Sequence, residues 1–512
     1  SYFKLKYLHL DIETHQFIIN TLKELDTMEK TERNAPTCEK SDSGLNRHLT
    51  NRHIQLIAIG GAIGTGLFMG SGKTISLAGP SILFVYAIIG FVMFFVMRAM
   101  GELLLSNLKY KSFMDFANDL LGPMAGFFIG WTYWIAWIVT GCADLIAIAG
   151  YVKYLAPDIP SWLPALICIF LFLGLNLLTV KLFGEAEFWF SIIKIVAIVA
   201  LIIIGIIFII TGFETPSGTV TSLSNIWNDG GFFPMGLSGF VAGFQIAIFA
   251  FIGVELVGTT AAETKDIEKT LPKAINAIPI RVILFYIGAL IVIMSVMPWR
   301  SIDPENSPFI VLFSFAGIAA AFTITYFVVI TSAASSANSG IFSTSRMLFG
   351  LSVGHKAPKQ FKKLSKAAVP ANALIFSCMF LLPAVVLLYF DNQGILHAFT
   401  LVTTVSTILF VCVWSAILIA YIAFRRQRPE LHKASKYKMP GGLFTCYMAL
   451  AFFAFILVAL WFREDTRIGL MYTPIWFILL FIAYKISPKH LRDKWAEEAR
   501  KHREEVESSH KH

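Results

Sequence analysis

The chain has 512 residues, 56% of them hydrophobic and 15% charged, where soluble domains carry roughly 25% charged residues. A water-soluble fold of this size could not bury so much apolar surface, so lipid is the expected solvent. The formal net charge of +9 comes from basic residues gathered in short segments between apolar runs, the distribution of a membrane topology and not of a nucleic-acid-binding face.

Residues 1–45 are polar with mixed charge and read as a disordered cytoplasmic segment with no cleavable signal peptide. The first apolar span would serve as the insertion signal. Met28 is the first methionine, and whether the residues before it belong to the native chain is left open. Residues 46–487 form the expected transmembrane domain. A helix crosses the hydrocarbon core with roughly 20 apolar residues, and about twelve such runs occur. The first five are Ile54–Ala78, Ser81–Met100, Gly126–Leu155, Trp162–Thr179 and Phe188–Ile210. Leu237–Thr260, Ile278–Met297, Gly317–Phe342, Leu374–Phe390 and Ile395–Phe424 make the next five. Phe444–Leu460 and Ile468–Ile486 close the set.

Loop charge sets the orientation. The loop after the eighth span is read to carry Arg346, Lys356, Lys359, Lys362, Lys363 and Lys366, and the one after the tenth Arg425, Arg426, Arg428, Lys433, Lys436 and Lys438. Thr211–Met235, between the fifth and sixth spans, holds neither Lys nor Arg. With an even number of spans, both termini are expected in the cytoplasm of a bacterial cell, the protein being multi-pass in its inner membrane. The charged tail, residues 488–512, reads as a solvated helix. The six cysteines show no CxxC or Cys/His spacing and read as buried free thiols, with no metal or cofactor implied.

The most informative stretch is Ile59-Gly-Gly-Ala-Ile-Gly-Thr-Gly-Leu-Phe-Met-Gly70. Glycine costs roughly 1 kcal/mol in a helix interior, so five glycines in this segment predict local unwinding. Unwound backbone at membrane depth persists only where it lines a cavity or is buried in protein. Close packing through the GxxxG pairs Gly60/Gly64 and Gly66/Gly70 is the alternative. The sixth span repeats the pattern with Phe249-Ala-Phe-Ile-Gly-Val-Glu255, where an acid stands inside an apolar segment. Such acids usually face the bundle interior and serve function, a structural hydrogen-bonding role being the other reading. Gly-interrupted helices at matching positions of two halves are a sequence pointer to a transporter binding site.

These segments resemble the amino acid–polyamine–organocation superfamily and, within it, the bacterial amino acid permeases. Ala78-Gly-Pro-Ser81 through Gly101-Glu102 is similar to the family signature around the second span, and the likeness runs from about Leu45 to Ile486. Asn51–Ile59, Val257–Asp266 and Ser332–Gly340 resemble a branch that handles small neutral amino acids. The resemblance implies an all-α fold with a five-plus-five inverted repeat and two extra helices, helices 1 and 6 being discontinuous. It implies proton symport of D-serine, D-alanine and glycine; a same-family permease for proline or aromatic amino acids is the alternative. Amides around Ile63, Gly64, Thr65 and Gly66 would hold the substrate carboxylate. Carbonyls at Phe249, Ala250 and Ile252 would take its ammonium, and Glu255 matches a glutamate tied to proton sensing. Oligomeric state is left open.

In the third span, Tyr133, Trp137, Thr140 and Asp144 share one helix face. Tyr133, Trp137, Phe249 and Phe251 are the candidate bulky residues limiting substrate size. Related permeases carry glutamate where Asp144 stands, so Asp144 would tune substrate choice or else pair with a neighbouring helix. Lys194 resembles a built-in cation replacing a sodium ion and linked to proton coupling, with snorkelling to the surface as the alternative. Ser332, Ser335, Ser336 and Ser339 share a face of the eighth span. Their hydroxyls would approach Lys194, or the stripe would simply be close packing. Neither a channel filter motif nor a catalytic constellation such as GxSxG or HExxH occurs, so no enzymatic activity is expected.

Overall fold

The computed structural model describes residues 63–178, 180–259, 266–317, 321–390 and 394–508. Lipid offers backbone amides no partner, so an apolar chain must satisfy its hydrogen bonds within helices. The described residues accordingly form helices, turns and a single isolated bridge between Glu214 and Val220. Nine helices among them are long and apolar enough to cross a membrane. Two expected spans fall outside that number: Trp162–Leu177 is shorter, and the Ser/Thr-rich Ala321–Val353 is a helix of 33 residues. The segments before Ile63, with Gly60 and Gly61, lie outside the described residues.

The first span enters as α1 (Thr65–Phe68) and α2 (Gly70–Ala78). A turn containing Pro80 redirects the chain into α3 (Ile82–Ser106). The short α4 (Phe113–Leu121) opens with a capping box, Ser112 accepting from the Met114 N–H while Asp115 accepts from the Ser112 N–H. Helix α5 (Pro123–Leu155) follows, then α6 (Trp162–Leu177) and α7 (Val180–Thr211). The sixth span is broken into α8 (Gly236–Ala247), a 3₁₀ turn at Ile248–Phe251, and α9 (Leu256–Thr259).

Helices α10 (Ile267–Asn276) and α11 (Ile278–Arg281) lead into a π-helical stretch, Val282–Gly288, and then α12 (Ala289–Val296). After α13 (Pro308–Ser314) comes α14 (Ala321–Val353). The ninth expected span is interrupted between α15 (Ala371–Met379) and α16 (Leu382–Phe390). Helix α17 (Ile395–Gln427), short α18 (Pro429–Ala434), α19 (Gly442–Ala459), α20 (Glu464–Ile486) and α21 (Lys489–Ser508) complete the chain.

At the centre, α5 packs along α14 and α17, and α2 packs along α8. The two interrupted spans therefore meet beside the polar faces of α5 and α14. Helix α7, by contrast, turns Val196, Ile203, Ile206 and Ile207 outward, as a lipid-facing surface requires.

Three expectations change. Arg346 is not in a loop: α14 runs past it, and its buried guanidinium sits 3.6 Å from the centre of the Phe342 ring. The tail is not wholly solvated, because Trp495 is 3% exposed. Its indole N–H donates to the His355 carbonyl at 3.2 Å and its ring stacks on Phe127. Of the described cysteines, Cys142, Cys378 and Cys446 are buried, but Cys168 and Cys412 are only half-buried.

Candidate functional site

The break in the first span is local and abrupt. Gly64 is extended, with φ −132° and ψ −156°, and the helical N–H groups of Leu67 and Phe68 both reach its carbonyl at 3.2 Å. The Ile63 carbonyl has no helical role here and accepts the Ser332 hydroxyl from α14 at 3.0 Å. First-turn amides of a helix have no intrahelical acceptor, and Thr65 and Gly66 at the start of α1 line the central cavity. Gly66 is required for close approach: a Cβ there would stand 2.5 Å from Ala250 Cα and 2.8 Å from Ala250 N.

The sixth span breaks just across from it. Ile252 is extended (φ −63°, ψ 135°), and Gly253 takes φ +107°, a conformation open to glycine and strained for other residues. Glu255 closes this turn on itself, its Oε2 accepting the Gly253 N–H at 3.1 Å. Of the three carbonyls expected to meet an ammonium, that of Phe249 accepts the Ile252 N–H at 3.2 Å. That of Ala250 accepts the Tyr286 hydroxyl at 2.8 Å. A carbonyl has two lone pairs, so each retains one acceptor direction.

Between the breaks lies a cavity of about 10 Å³, lined by Gly64, Thr65, Gly66, Thr140, Asp144, Phe249, Ala250, Ile252 and Ser336. That is room for about one water. Asp144 is its charged group. Oδ1 accepts the Thr65 hydroxyl at 2.7 Å, while Oδ2 is buried and has no hydrogen-bond partner among the described residues. Ser336 supplies the neighbouring hydroxyl and Lys194 the neighbouring cation. Thr140 is held in place by Ser406 of α17 at 2.6 Å.

Other expected residues fall around this cavity and not in its wall. Phe251 turns away, stacked on Tyr286 at 5.1 Å and tilted against Tyr86 at 5.7 Å. Tyr133 and Trp137, lower on α5, gather near Glu255. The Tyr133 hydroxyl lies 2.9 Å from Ser343 Oγ, which lies 2.9 Å from Thr259 Oγ1. The indoles of Trp137 and Trp414 are the nearest side-chain donors to the Glu255 carboxyl. Neither indole closes a bond of ordinary geometry, and Glu255 Oε1 has no partner among the described residues.

Lys194 is fully buried in α7 and does not snorkel. Its ammonium is within electrostatic reach of Glu187 and Asp144. Glu187 escapes the sequence reading, because the expected fifth span starts one residue after it. It is buried, accepting the Ser335 hydroxyl at 2.7 Å and the Asn338 amide at 2.8 Å. The Asn176 amide of α6 in turn donates to Asn338 at 2.6 Å. The i, i+7 spacing of Glu187 and Lys194, two turns along one helix face, is the signal that could have found the pair. The serine stripe thus divides its work: Ser332 meets helix-1 backbone, Ser335 meets Glu187, and Ser336 meets the cavity.

The two ends of the bundle differ. A cavity of about 1020 Å³ opens beside Met69, Lys73, Tyr151, Tyr326, Thr400 and Asp465. Lys73 spans its floor, donating to Asp465 and to Thr400 at 2.9 Å each. Some 30 Å further along α17, buried Glu102 accepts from the Tyr421 hydroxyl at 3.1 Å and the Met439 N–H at 2.7 Å, with His432 Nδ1 at 2.5 Å. Arg428 pairs with Asp119 at 2.8 Å, and the Tyr110 hydroxyl bonds to the same carboxylate. That end is closed by buried polar bonds and the other is open.

Known proteins match most of this chain in sequence. The chain is 63% identical over 444 residues to the D-serine/D-alanine/glycine transporter of Escherichia coli (strain K12), covering 87% of this chain and 94% of that one. It is 53% identical to the amino-acid permease AapA of Bacillus subtilis (strain 168), over 87% of this chain and 96% of that protein. It is 44% identical to the DL-alanine permease SerP2 of Lactococcus lactis subsp. cremoris (strain MG1363), over 88% and 97%. The family model described as amino acid permease matches residues 53–497, which takes in both breaks, Asp144, Lys194 and Glu255. The chain belongs to the amino acid permease family.

Proposed function

We propose that this protein is a secondary active transporter importing small neutral amino acids, D-serine, D-alanine and glycine, by proton symport with alternating access. The observation that carries the reading is the meeting of two interrupted helices at a small buried cavity whose one charged wall group, Asp144, keeps a carboxylate oxygen without a partner among the described residues. An amino acid offers the complementary groups: an ammonium for that oxygen and the remaining lone pairs of helix 6, and a carboxylate for the first-turn amides near Gly64, Thr65 and Gly66. The identity to the E. coli transporter over nearly its whole length supports the substrate class.

On this reading the membrane domain, residues 46–487, holds about twelve spans, the first ten arranged as a five-plus-five inverted repeat. Counting α2 and α3, which together make one of the nine apolar spans, as two, and adding helix α6 and helix α14, supplies the rest. Both termini face the cytoplasm, as the basic clusters after the eighth and tenth spans require. The open cavity beside Lys73 then faces outward, and the bonds around Glu102 and Arg428 close the cytoplasmic side. Glu255 serves proton coupling, and Lys194, balanced by Glu187, serves as the internal cation.

Uptake by the purified protein in proteoliposomes tests the reading. Labelled glycine should accumulate when an inward proton gradient is imposed, and excess D-serine or D-alanine should block it while phenylalanine and lysine do not. Phenylalanine competing as well as D-serine would transfer the chain to an aromatic permease. Accumulation indifferent to the proton gradient would remove symport.

A further inference from the structure

The helix-6 break leaves a carbonyl that the sequence reading assigned to substrate, and a residue from another helix already holds it. In an unbroken α-helix the Ala250 carbonyl would take the Val254 N–H. Here that N–H turns to Phe251 O at 3.4 Å, and the Tyr286 hydroxyl donates to Ala250 O at 2.8 Å instead. Tyr286 is buried and has little freedom to leave: its ring is stacked on Phe251 at 5.1 Å and flanked by Tyr86 at 5.5 Å.

The helix that presents Tyr286 is itself irregular. Tyr286 sits within the π-helical stretch Val282–Gly288, between regular turns at Ile278–Arg281 and Ala289–Val296. π turns are rare and recur at functional sites, where the extra residue per turn re-aims a side chain. One turn of this stretch is pressed against α3, where a Cβ on Gly90 would meet Val282 Cγ1 at 2.7 Å.

We propose that Tyr286 is a positioning residue of the transport site: through its hydroxyl it caps the carbonyl orphaned at the helix-6 break and so keeps that segment in the conformation that binds the amino acid backbone. The inference rests on the transport function proposed above. A buried carbonyl left without a donor penalises the broken conformation. The Tyr286 hydroxyl removes that penalty before substrate arrives, and Tyr286 is not among the residues that line the cavity. Its loss should therefore weaken binding of every substrate by the same factor.

Tyr286→Phe keeps the stacked ring and deletes only the donor. In proteoliposomes, KM should rise roughly 5- to 100-fold, equally for glycine, D-alanine and D-serine, with Vmax within about twofold of wild type. A fall in Vmax with KM unchanged overturns the proposal, and so does a shift in preference between glycine and D-serine, which would mean direct side-chain contact. If the variant folds in lower yield, calorimetric Kd values for glycine on its monodisperse fraction decide by the same criterion. A wild-type protein that takes up none of the three amino acids defeats the transport reading separately. Hydrogen exchange across residues 248–256, which needs no substrate, then decides the capping role: exchange should quicken at least about tenfold in the variant, and unchanged exchange overturns it.

Discussion

Gly66 and Gly64 stand two residues apart in the same glycine-rich motif, and the structure predicts unequal consequences for the same substitution. An alanine Cβ at Gly66 would lie 2.5 Å from Ala250 Cα and 2.8 Å from Ala250 N. Both are backbone atoms, so no rotamer relieves the overlap. The segment around Ala250 must retreat by about 1 Å to reach ordinary contact, and its carbonyl is already held by Tyr286. Overpacking of this kind costs about 3 kcal/mol, the upper part of the usual range. That depletes the closed crossing of the two breaks roughly 100-fold and raises the apparent KM by the same factor. At Gly64 the new Cβ would meet the Ser336 hydroxyl at 3.3 Å, which can turn, and Ser336 Cβ at 3.4 Å, which is ordinary contact. With extended backbone at that position, Gly64→Ala should cost under about 1 kcal/mol, a few-fold in KM. Glycine uptake by the two variants at matched protein density measures the difference. Gly66→Ala with a KM within threefold of wild type, or the two variants equally impaired, would refute the reasoning.

Glu255→Gln should flatten the pH dependence of uptake more than it lowers binding, because the amide can still accept the Gly253 N–H but cannot exchange a proton. A pH profile unchanged from wild type counts against the coupling role. Lys194→Ala should abolish uptake and reduce the yield of folded protein, since it strands buried Glu187 at a cost of about 3–5 kcal/mol. Adding Glu187→Gln should restore yield but not transport, and wild-type uptake should be indifferent to sodium at constant ionic strength. A sodium-driven current through the wild type would show the internal-cation assignment to be wrong.

What the sequence by itself determined follows from one-dimensional physics. Apolar run length sets where helices can cross lipid, and glycine density at Gly64, Gly66 and Gly253 marks where a helix is weak. Charge at Asp144, Lys194 and Glu255 within such runs marks residues that cannot face lipid and must turn inward. Each of these is a property of a residue and its near neighbours. The partnerships are not. The Tyr286 bond to Ala250 spans 36 residues and that of Thr140 to Ser406 spans 266. A charge says only which side of its own span turns inward, and spans that are apolar all round carry little amphipathic stripe to fix their inner face. Packing against neighbouring helices sets rotation and tilt. That is why Thr140 and Asp144 reach the cavity while Tyr133 and Trp137, on the same stripe, turn to Glu255 instead. Glu187 is missed because the hydropathy of the span begins one residue after it, although its i, i+7 spacing from Lys194 is in the sequence, and the folded helix carries it into the bundle beside Lys194. The break itself belongs to the sequence. What it faces, and which of its freed carbonyls stay available, is decided by helices far away along the chain.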